Sequence, residues 1–322
     1  MYYKLFLLAA IICLTNENLL AQQIINTSVY RHINNDGYFR FSYENDFFSA
    51  TDEYYTQGID AELTLPQMDK LFVNKLLLHP NYSTTIFGLG LQHNGFTPSS
   101  ISSDDILYND RPFAAVLIAK SFAITTDTTH KQRFSTTLYF GIIGQAAGAK
   151  EMQEFIHDKL NNITPHGWQY QINNDLALNY QVQYDKQIVS YKDILSLIGG
   201  GGGSIGTINT NLTTNVTFMF GHINNPYSGQ SPSLKKWSIY SYCNTDVKYV
   251  LYNASLQGGI TANSNPYVLS ASEITRSIAS FRYGIRVSYG RIFLEYFKAW
   301  QTREFEKGKP HSYGGIQIAT AL

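Results

Sequence analysis

Cysteine is almost missing from this chain. It has two among 322 residues, Cys13 and Cys243. Cys13 lies in a short apolar stretch that follows Lys4 and precedes the small residue Ala21, a pattern typical of a secretory signal. We therefore expect residues 1–21 to be a signal and residues 22–322 to form one domain. Removal of the signal would leave Cys243 alone, which excludes an intramolecular disulfide.

Charge and long apolar runs are also scarce. Charged residues make up 15% of the chain, against roughly a quarter in soluble domains. The formal net charge is +0, so nothing favours nucleic acid as a partner. No apolar run after residue 21 is long enough to cross a bilayer as a helix. The composition thus excludes helical membrane proteins and disfavours nucleic-acid-binding proteins.

Aromatic residues are abundant by contrast, at 14% of the chain, with 24 Tyr and 19 Phe. An exported chain with few charges and many tyrosines fits a bacterial outer-membrane β-barrel, which has an apolar outer face, aromatic girdles and a polar interior. The alternative is a soluble secreted β-sandwich, which would normally carry more charge. The composition favours the barrel.

Alternating polarity along several segments supports that interpretation. Residues 59–65 alternate aliphatic side chains with Asp60 and Glu62, and residues 281–289 alternate apolar side chains with Arg282 and Arg286. Such charges are costly toward lipid and acceptable in a barrel lumen. Strands are expected at residues 38–44, 59–65, 87–92, 114–125, 134–143, 176–184, 213–221, 237–246, 249–258, 281–289, 292–301 and 312–321.

The fold prediction is therefore all-β, an antiparallel transmembrane barrel of about twelve strands, since single-chain bacterial barrels have even numbers. The Gly199–Gly203 run is predicted to be a flexible turn. One segment differs, because residues 146–161 place Met152, Phe155 and Leu160 at helical spacing. We expect it to form a short helix in a loop at one rim.

Three polar clusters lie beside these strands, although strands need no such groups in order to fold. The first cluster comprises Asn45, Asp46, Thr51, Asp52, Tyr55 and Thr56. The second is the dipeptide Asp110-Arg111, at the start of a strand. The third comprises His157, Trp168, Gln171, Asn174 and Asp175. A hard cation or a reacting ester would need several such groups, so the clusters suggest a working site in the barrel wall.

The order of these clusters resembles the lipid A 3'-O-deacylase (LpxR-like) family of outer-membrane enzymes. The shared elements are Asn45-Asp46, then T-D-x-x-Y-T-x-G from Thr51, Asp110-Arg111-Pro112-Phe113-Ala114, Gly141 to Gly144, Ile156-His157, and G-W-x-x-Q-x-x-N-D from Gly167. The resemblance runs in order from about Gly37 to Tyr184 and departs at Asp175 and Leu176, where the family pattern has glutamate followed by proline.

The resemblance implies a twelve-stranded barrel with its active site between the outer wall and a loop helix. It also implies a calcium-dependent esterase that removes the 3'-acyloxyacyl group of lipid A. By motif position, His157 would be the general base, and Asn45 and Asp46 would help to form or support the Ca²⁺ and oxyanion site. The remaining candidates would bind substrate: Thr51, Asp52, Tyr55, Thr56, Trp168, Gln171, Asn174 and Asp175.

The chemistry is consistent with these residue types. Ca²⁺ prefers carboxylate, amide and main-chain oxygens, which Asp46, Asn45 and their loop provide. A fixed cation stabilises the charge that develops on an ester oxygen, and imidazole is suited to taking a proton from water near neutrality. A water nucleophile also agrees with the lack of a G-x-S-x-G motif.

Each of these side chains also has a structural interpretation. His157 could be a solvated residue on a loop helix, and Asn45-Asp46 could be a strand-end turn. Asp110 and Arg111 are more simply explained as an ion pair in the lumen, and Trp168 could be an interfacial aromatic or part of an acyl groove.

Alternative functions remain open at this point. They are another outer-membrane lipid hydrolase, such as a phospholipase, and a non-enzymatic barrel or porin. For the favoured function, the expected partners are lipid A, or lipopolysaccharide, and the lipids of the outer membrane. We expect a monomer.

Overall fold

The computed structural model describes residues 24–49, 53–227, 237–262 and 264–322. The predicted signal, residues 1–21, lies outside these ranges, as do Thr51 and Asp52. Within the described residues, no helix is both long and apolar enough to cross a bilayer.

Twelve antiparallel strands form a closed barrel, because β1 pairs with β12 as well as with β2. This confirms the predicted fold. The strands are β1 (Tyr38–Asn45), β2 (Tyr54–Thr64), β3 (Thr84–Thr97), β4 (Ala114–Asp127), β5 (Gln132–Ile143), β6 (Asp175–Tyr191), β7 (Leu195–Gly206), β8 (Asn209–His222), β9 (Ser238–Asn253), β10 (Ser277–Tyr289), β11 (Ile292–Gln301) and β12 (His311–Ala321).

The helices are short and lie between strands. The predicted loop helix is observed as α1 (Ala149–Leu160), and a single turn forms α2 (Ala254–Gln257). Six 3₁₀-helices are described: Val29–Arg31, Asp46–Ser49, Pro66–Lys70, Phe72–Leu76, Gln145–Ala147 and Trp168–Tyr170.

Two local predictions were wrong, and their errors cancel in the strand count. The Gly199–Gly203 run is part of strand β7, where Gly200 pairs with Asp185 on one side and Asn215 on the other. Glycine has no side chain to show alternation, so the sequence hid this strand. Residues 237–246 and 249–258 were expected to be two strands, but β9 continues through Asp246, and α2 follows it.

Alternation along the strands separates a polar lumen from an apolar outer wall. Asp60 and Glu62 of β2 are buried, as are Arg282 and Arg286 of β10. The opposite faces expose apolar side chains, among them Phe39, Phe41, Leu89, Leu91, Leu178, Ile285, Leu294, Ile316 and Ile318. The predicted division of charged and aliphatic residues is therefore confirmed in these strands.

The two ends of the barrel differ. Gly37 accepts a hydrogen bond from the Leu322 amide at one end (2.9 Å), which we call the terminal rim. Because successive strands run in opposite directions, the β1–β2, β3–β4 and β5–β6 connections lie at the opposite end. That end carries α1, and we call it the helix rim.

Residues 24–34 enter the lumen and bind its wall. The Arg31 guanidinium lies 3.0 Å from a Glu295 carboxylate oxygen and 3.7 Å from Glu44. Asn26 donates to Asp60 at 2.7 Å, and the Tyr30 ring stacks on Tyr242 with centroids 4.2 Å apart. The segment therefore fills part of the lumen as a plug held by buried ion pairs and hydrogen bonds.

The plug gives a stability prediction. Arg31→Ala removes a buried cation from Glu295 and Glu44, and breaking a buried ion pair costs about 3–5 kcal/mol. We expect the free energy of unfolding in detergent, measured by urea titration, to fall by an amount of that order. Arg303→Ala, at an exposed position, is the matched control and should change it by less than about 0.5 kcal/mol. Equal shifts in the two variants would show that the plug does not stabilise the barrel.

Candidate active site

Asn45 and Asp46 hold the loop that follows β1 at the helix rim. The Asn45 side chain accepts a hydrogen bond from the Phe47 amide at 2.7 Å and donates one to the carbonyl oxygen of Thr56. The buried Asp46 carboxylate accepts the Glu53 amide at 2.7 Å. Because Glu44 faces the lumen, its neighbour Asn45 faces the outer side of the wall. The predicted Asn-Asp pair is thus fixed by backbone groups of β2 and of its own loop.

A β-bulge directs the start of β2. The register against β3 shifts between Tyr54 and Gln57, and Tyr54 has a positive φ of 71°. Thr56 shares a 2.7 Å hydrogen bond with the hydroxyl of Thr97, which has outward parity on β3. Bulges commonly redirect side chains beside functional sites. Here the bulge places Thr56 and Gln57 together on the outer side.

Tyr55 lies on the other side of the wall. It is fully buried, accepts a 2.9 Å hydrogen bond from Asn94 and donates one of 3.5 Å to Glu44. Asn94 faces the lumen. Tyr55 and Thr56, adjacent in sequence, therefore serve opposite faces of the same strand.

Helix α1 directs a polar stripe toward the outer wall. Its buried residues are Ala149, Gln153 and His157, which lie on one helical face at intervals of four. Ala149 packs against Gly95, where its Cβ lies 3.3 Å from the position a Cβ of Gly95 would take. The carbonyl oxygen of Ala147, just before the helix, lies 3.0 Å from Nε2 of His93 on β3.

We call the interface between this stripe and the wall, where Ala149 contacts Gly95 and Ala147 contacts His93, the crevice. Strand alternation assigns Gln57, His93 and Thr97 to its wall side, and helical position assigns Gln153 and His157 to its helix side. All five side chains are buried. Within the described residues, Nε2 of Gln57, Nδ1 of His93 and Nε2 of Gln153 have no hydrogen-bond partner. Buried polar atoms usually have a partner, so these atoms suit a polar ligand.

The hydrogen bond of His157 fixes its tautomer. Its Nδ1 lies 2.7 Å from the carbonyl oxygen of Ile163, and a carbonyl oxygen can only accept. Nδ1 must therefore carry the proton, so the neutral ring has its lone pair on Nε2. The side chain is 7% exposed. This is the arrangement that a general base requires.

Trp168 packs against helix α1 through Gln153. Its indole Nε1 donates to Oε1 of Gln153 at 2.7 Å, and its ring lies 4.9 Å from that of Phe113. The side chain is almost completely buried, so the alternative of an interfacial aromatic is wrong. Because the indole only donates, it fixes the Gln153 amide with Nε2 left as a donor for the crevice.

The other residues of the third cluster hold loops or lie buried. Gln171 is buried, and Asn174 is exposed and accepts the Ala146 amide at 2.8 Å, just before α1. The Asp175 carboxylate accepts the amides of Thr261 (2.6 Å) and Ala262 (3.1 Å) from the β9–β10 connection. The aspartate that departs from the family pattern thus has a structural partner.

Arg111 forms an ion pair, but with a different partner from the one expected. Its guanidinium pairs with Glu304, donates to Ser255 at 2.6 Å and lies 4.3 Å from the Phe96 ring centre. Asp110 instead accepts the Ser99 amide at 3.0 Å. Burial lowers the pKa of Arg111, and Glu304 opposes that effect. The pair joins three connections across the mouth of the lumen at the helix rim.

The sequence interpretation missed four crevice residues: Gln57, His93, Thr97 and Gln153. Alternation along the strands could have revealed two of them. Gln57 and His93 are polar at positions where a membrane strand should present apolar side chains to lipid. The outward face of Gln57 follows from its alternation with Ile59 and Ala61, because the register shift lies before Gln57. The outward face of His93 follows from Leu89 and Leu91, which are exposed on the same face.

The donor atoms near β1 are of the types that Ca²⁺ prefers, namely carboxylate, amide and main-chain oxygens. In the part of the chain that the structure describes, no three His, Cys, Asp or Glu side chains cluster as metal ligands. A cation here would therefore combine the Asp46 carboxylate with the Asn45 amide oxygen and main-chain carbonyls. The Glu53 amide already binds one oxygen of the Asp46 carboxylate, and the Phe47 amide binds the Asn45 amide oxygen.

Comparisons with known proteins find one family and several similar structures. A family model described as outer membrane protein LpxR matches residues 5–322. The structure of LpxR from Salmonella typhimurium is similar, with a TM-score of 0.73 and 16% identity over 88% of this chain and 100% of that chain. The β domain of the Bordetella autotransporter BrkA matches with a TM-score of 0.45 and 8% identity, over 89% and 99%. Among curated proteins, none matches the chain.

Proposed function

Because the chain belongs to the LpxR family of outer membrane proteins, we propose that it hydrolyses the 3'-acyloxyacyl ester of lipid A. The observation that carries the proposal is the crevice, a polar site on the outer side of a membrane barrel. His157 and Gln153 face the wall, where a lipid can arrive laterally from the bilayer. The plug, residues 24–34, occupies the lumen and so favours a lipid substrate over a solute passing through a pore.

In the proposed reaction, His157 acts as the general base. Its Nε2 takes a proton from water as the water oxygen attacks the ester carbonyl carbon. The proton then passes to the leaving sugar oxygen as the ester C–O bond breaks, which releases a fatty acid and a free hydroxyl. The Ile163 carbonyl stabilises the protonated ring, and Gln153 can donate to an oxygen of the substrate.

Asn45 and Asp46 are proposed to hold a Ca²⁺ ion, with Thr56 beside them. A bound Ca²⁺ would supply a fixed positive charge for the oxygen that becomes negative in the transition state. Thr51 and Asp52 stay candidates for substrate binding. Gln171, Asn174 and Asp175 are proposed to support the crevice through the loops around α1, and Tyr55 to support β2 from the lumen.

The proposal is tested by mass spectrometry of lipid A after incubation with detergent-purified protein, with Ca²⁺ or with chelator. We expect a Ca²⁺-dependent loss of one acyloxyacyl unit. Phospholipid vesicles in parallel reactions test the phospholipase alternative, and planar-bilayer conductance tests the porin. Unchanged lipid A with folded protein under both conditions would contradict the proposal.

A further inference from the structure

The connection from β2 to β3 does not stay at the terminal rim. It turns back along the outside of the barrel, where the Tyr180 hydroxyl accepts the Leu78 amide at 2.8 Å and Thr136 donates to the Leu78 carbonyl at 3.0 Å. The His79 ring packs edge-on against Phe87 of β3, with centroids 5.4 Å apart. We call residues 71–79 the strap.

Strand parity shows that the strap lies on the outer wall. Arg133 of β5 and Asp185 of β6 are inward and buried, and Thr136 and Tyr180 have the opposite parity. Thr136 is buried all the same, because the strap covers it. The strap therefore lies at a height within the strands, on the side that faces the bilayer.

The surface of the strap is apolar. Leu71, Phe72, Leu76 and Leu78 are all exposed, Phe72 at 75% and Leu78 at 61%. Four large apolar side chains in one short segment would form an unfavourable patch in water. On the outer wall they continue the apolar belt of the strands, so the surface already established as lipid-facing extends over the strap.

The backbone of the strap is hydrogen-bonded as a lipid environment requires. Successive 3₁₀ turns join the amides of Leu71, Asn74 and Leu77 to carbonyls three residues earlier, at 3.0–3.1 Å. The Tyr180 hydroxyl donates to the Leu76 carbonyl at 3.1 Å. Hydrocarbon offers no hydrogen bonds, and irregular backbone at membrane depth must find partners in the protein. Side chains of the outer wall provide them here.

Two lysines accompany the apolar residues. Lys70 and Lys75 are exposed, and the Lys75 ammonium lies 5.3 Å from the Phe72 ring centre. Lysines at the edge of an apolar surface extend their ammonium groups to the headgroup layer. We propose that the strap is embedded in the bilayer leaflet at the terminal rim, with phospholipid acyl chains packed on Leu71, Phe72, Leu76 and Leu78. This holds whether or not the protein hydrolyses lipid A.

Spin labels placed on the strap test the proposal. Cys243→Ser leaves no cysteine beyond residue 21, and Phe72→Cys and Leu78→Cys each add one for a nitroxide. The full barrel is reconstituted in phosphatidylethanolamine–phosphatidylglycerol vesicles, and power saturation compares collisions with oxygen and with a nickel chelate. Oxygen concentrates in hydrocarbon and the chelate in water. We expect oxygen to dominate at both strap positions.

Two reference positions define the scale. Leu294→Cys, on the lipid-facing side of β11, should favour oxygen, and Thr129→Cys, in an exposed turn at the terminal rim, should favour nickel. Strap labels that favour nickel would overturn the proposal, and so would a result in which only one of the two favours oxygen. If either strap variant loses the heat-modifiable gel migration of a folded barrel, Leu71→Cys and Leu76→Cys replace them under the same criteria.

Discussion

His157→Ala is expected to lower the rate of lipid A deacylation by about 100- to 10,000-fold, the usual contribution of a general base. The imidazole donates its Nδ1 proton to Ile163 at 2.7 Å, which leaves Nε2 to accept a proton from water. Alanine has no group that can do so. The readout is mass spectrometry of lipid A at several times under saturating Ca²⁺.

Two further variants separate catalysis from folding. His157→Gln can still donate to the Ile163 carbonyl but cannot act as a base, so we expect it to be as inactive as His157→Ala. His166→Ala removes an exposed histidine of the same connection, one that contacts Asp104 at 2.9 Å, and should keep nearly full activity. All three should keep heat-modifiable migration.

Recovery of activity with exogenous imidazole distinguishes a general base from a residue that only supports the structure. Imidazole should partly restore His157→Ala, because a small base can enter the space that the side chain leaves. Normal activity in His157→Ala would remove this residue from the mechanism. Activity in His157→Gln alone would show that the hydrogen bond to Ile163, and not the base, is what the reaction needs.

The barrel was predictable because the alternation of polar and apolar side chains that forms it is visible in neighbouring residues. Alternation of Asp60 and Glu62 with aliphatic side chains sets both the strand and its lumen face, and the same applies to Arg282 and Arg286. The Gly199–Gly203 run shows the limit of this signal. The run belongs to a strand that pairs with β6 and β8. Because glycine has no side chain, its sequence shows no alternation between the two faces.

The candidate site was predictable as a set of residues but not as an arrangement. The family pattern gave His157 and Asn45-Asp46, whereas the side of the wall on which Asn45 lies depends on the alternation of β1. The side on which Thr56 lies depends on the bulge between Tyr54 and Gln57. A bulge is an irregularity in pairing, which one strand's sequence does not reveal. The same bulge places Thr56 on the outer side with Gln57, although adjacent residues of a regular strand point to opposite faces.

Long-range contacts were beyond the sequence for a similar reason. The plug binds Glu295, which lies 264 residues from Arg31 in the chain, and only closure of the barrel brings the two together. Gln153 was hidden in a helix whose charged and apolar residues dominate its pattern. Its role emerges from two contacts, the indole of Trp168 and the wall beside Gly95.

Removal of Ca²⁺ is expected to abolish deacylation reversibly, and Asp46→Asn should lower it by about 100- to 1,000-fold, the usual effect of losing one group that stabilises an oxyanion. Asparagine can still accept the Glu53 amide that Asp46 binds at 2.7 Å, so the loop should keep its shape while losing its negative charge. Activity should return when excess Ca²⁺ replaces the chelator.

The Ca²⁺ dependence of the variant distinguishes a metal ligand from a loop support. If Asp46 binds the cation, Asp46→Asn should need a higher Ca²⁺ concentration for half-maximal activity, because a neutral oxygen attracts the ion less strongly. Asp104→Asn, which changes an exposed carboxylate at the same rim, should leave that concentration unchanged. Full activity in excess chelator would refute the metal role. An unchanged Ca²⁺ requirement in Asp46→Asn would show that other oxygens bind the ion. His157 would then work with a cation that is bound elsewhere than at Asp46.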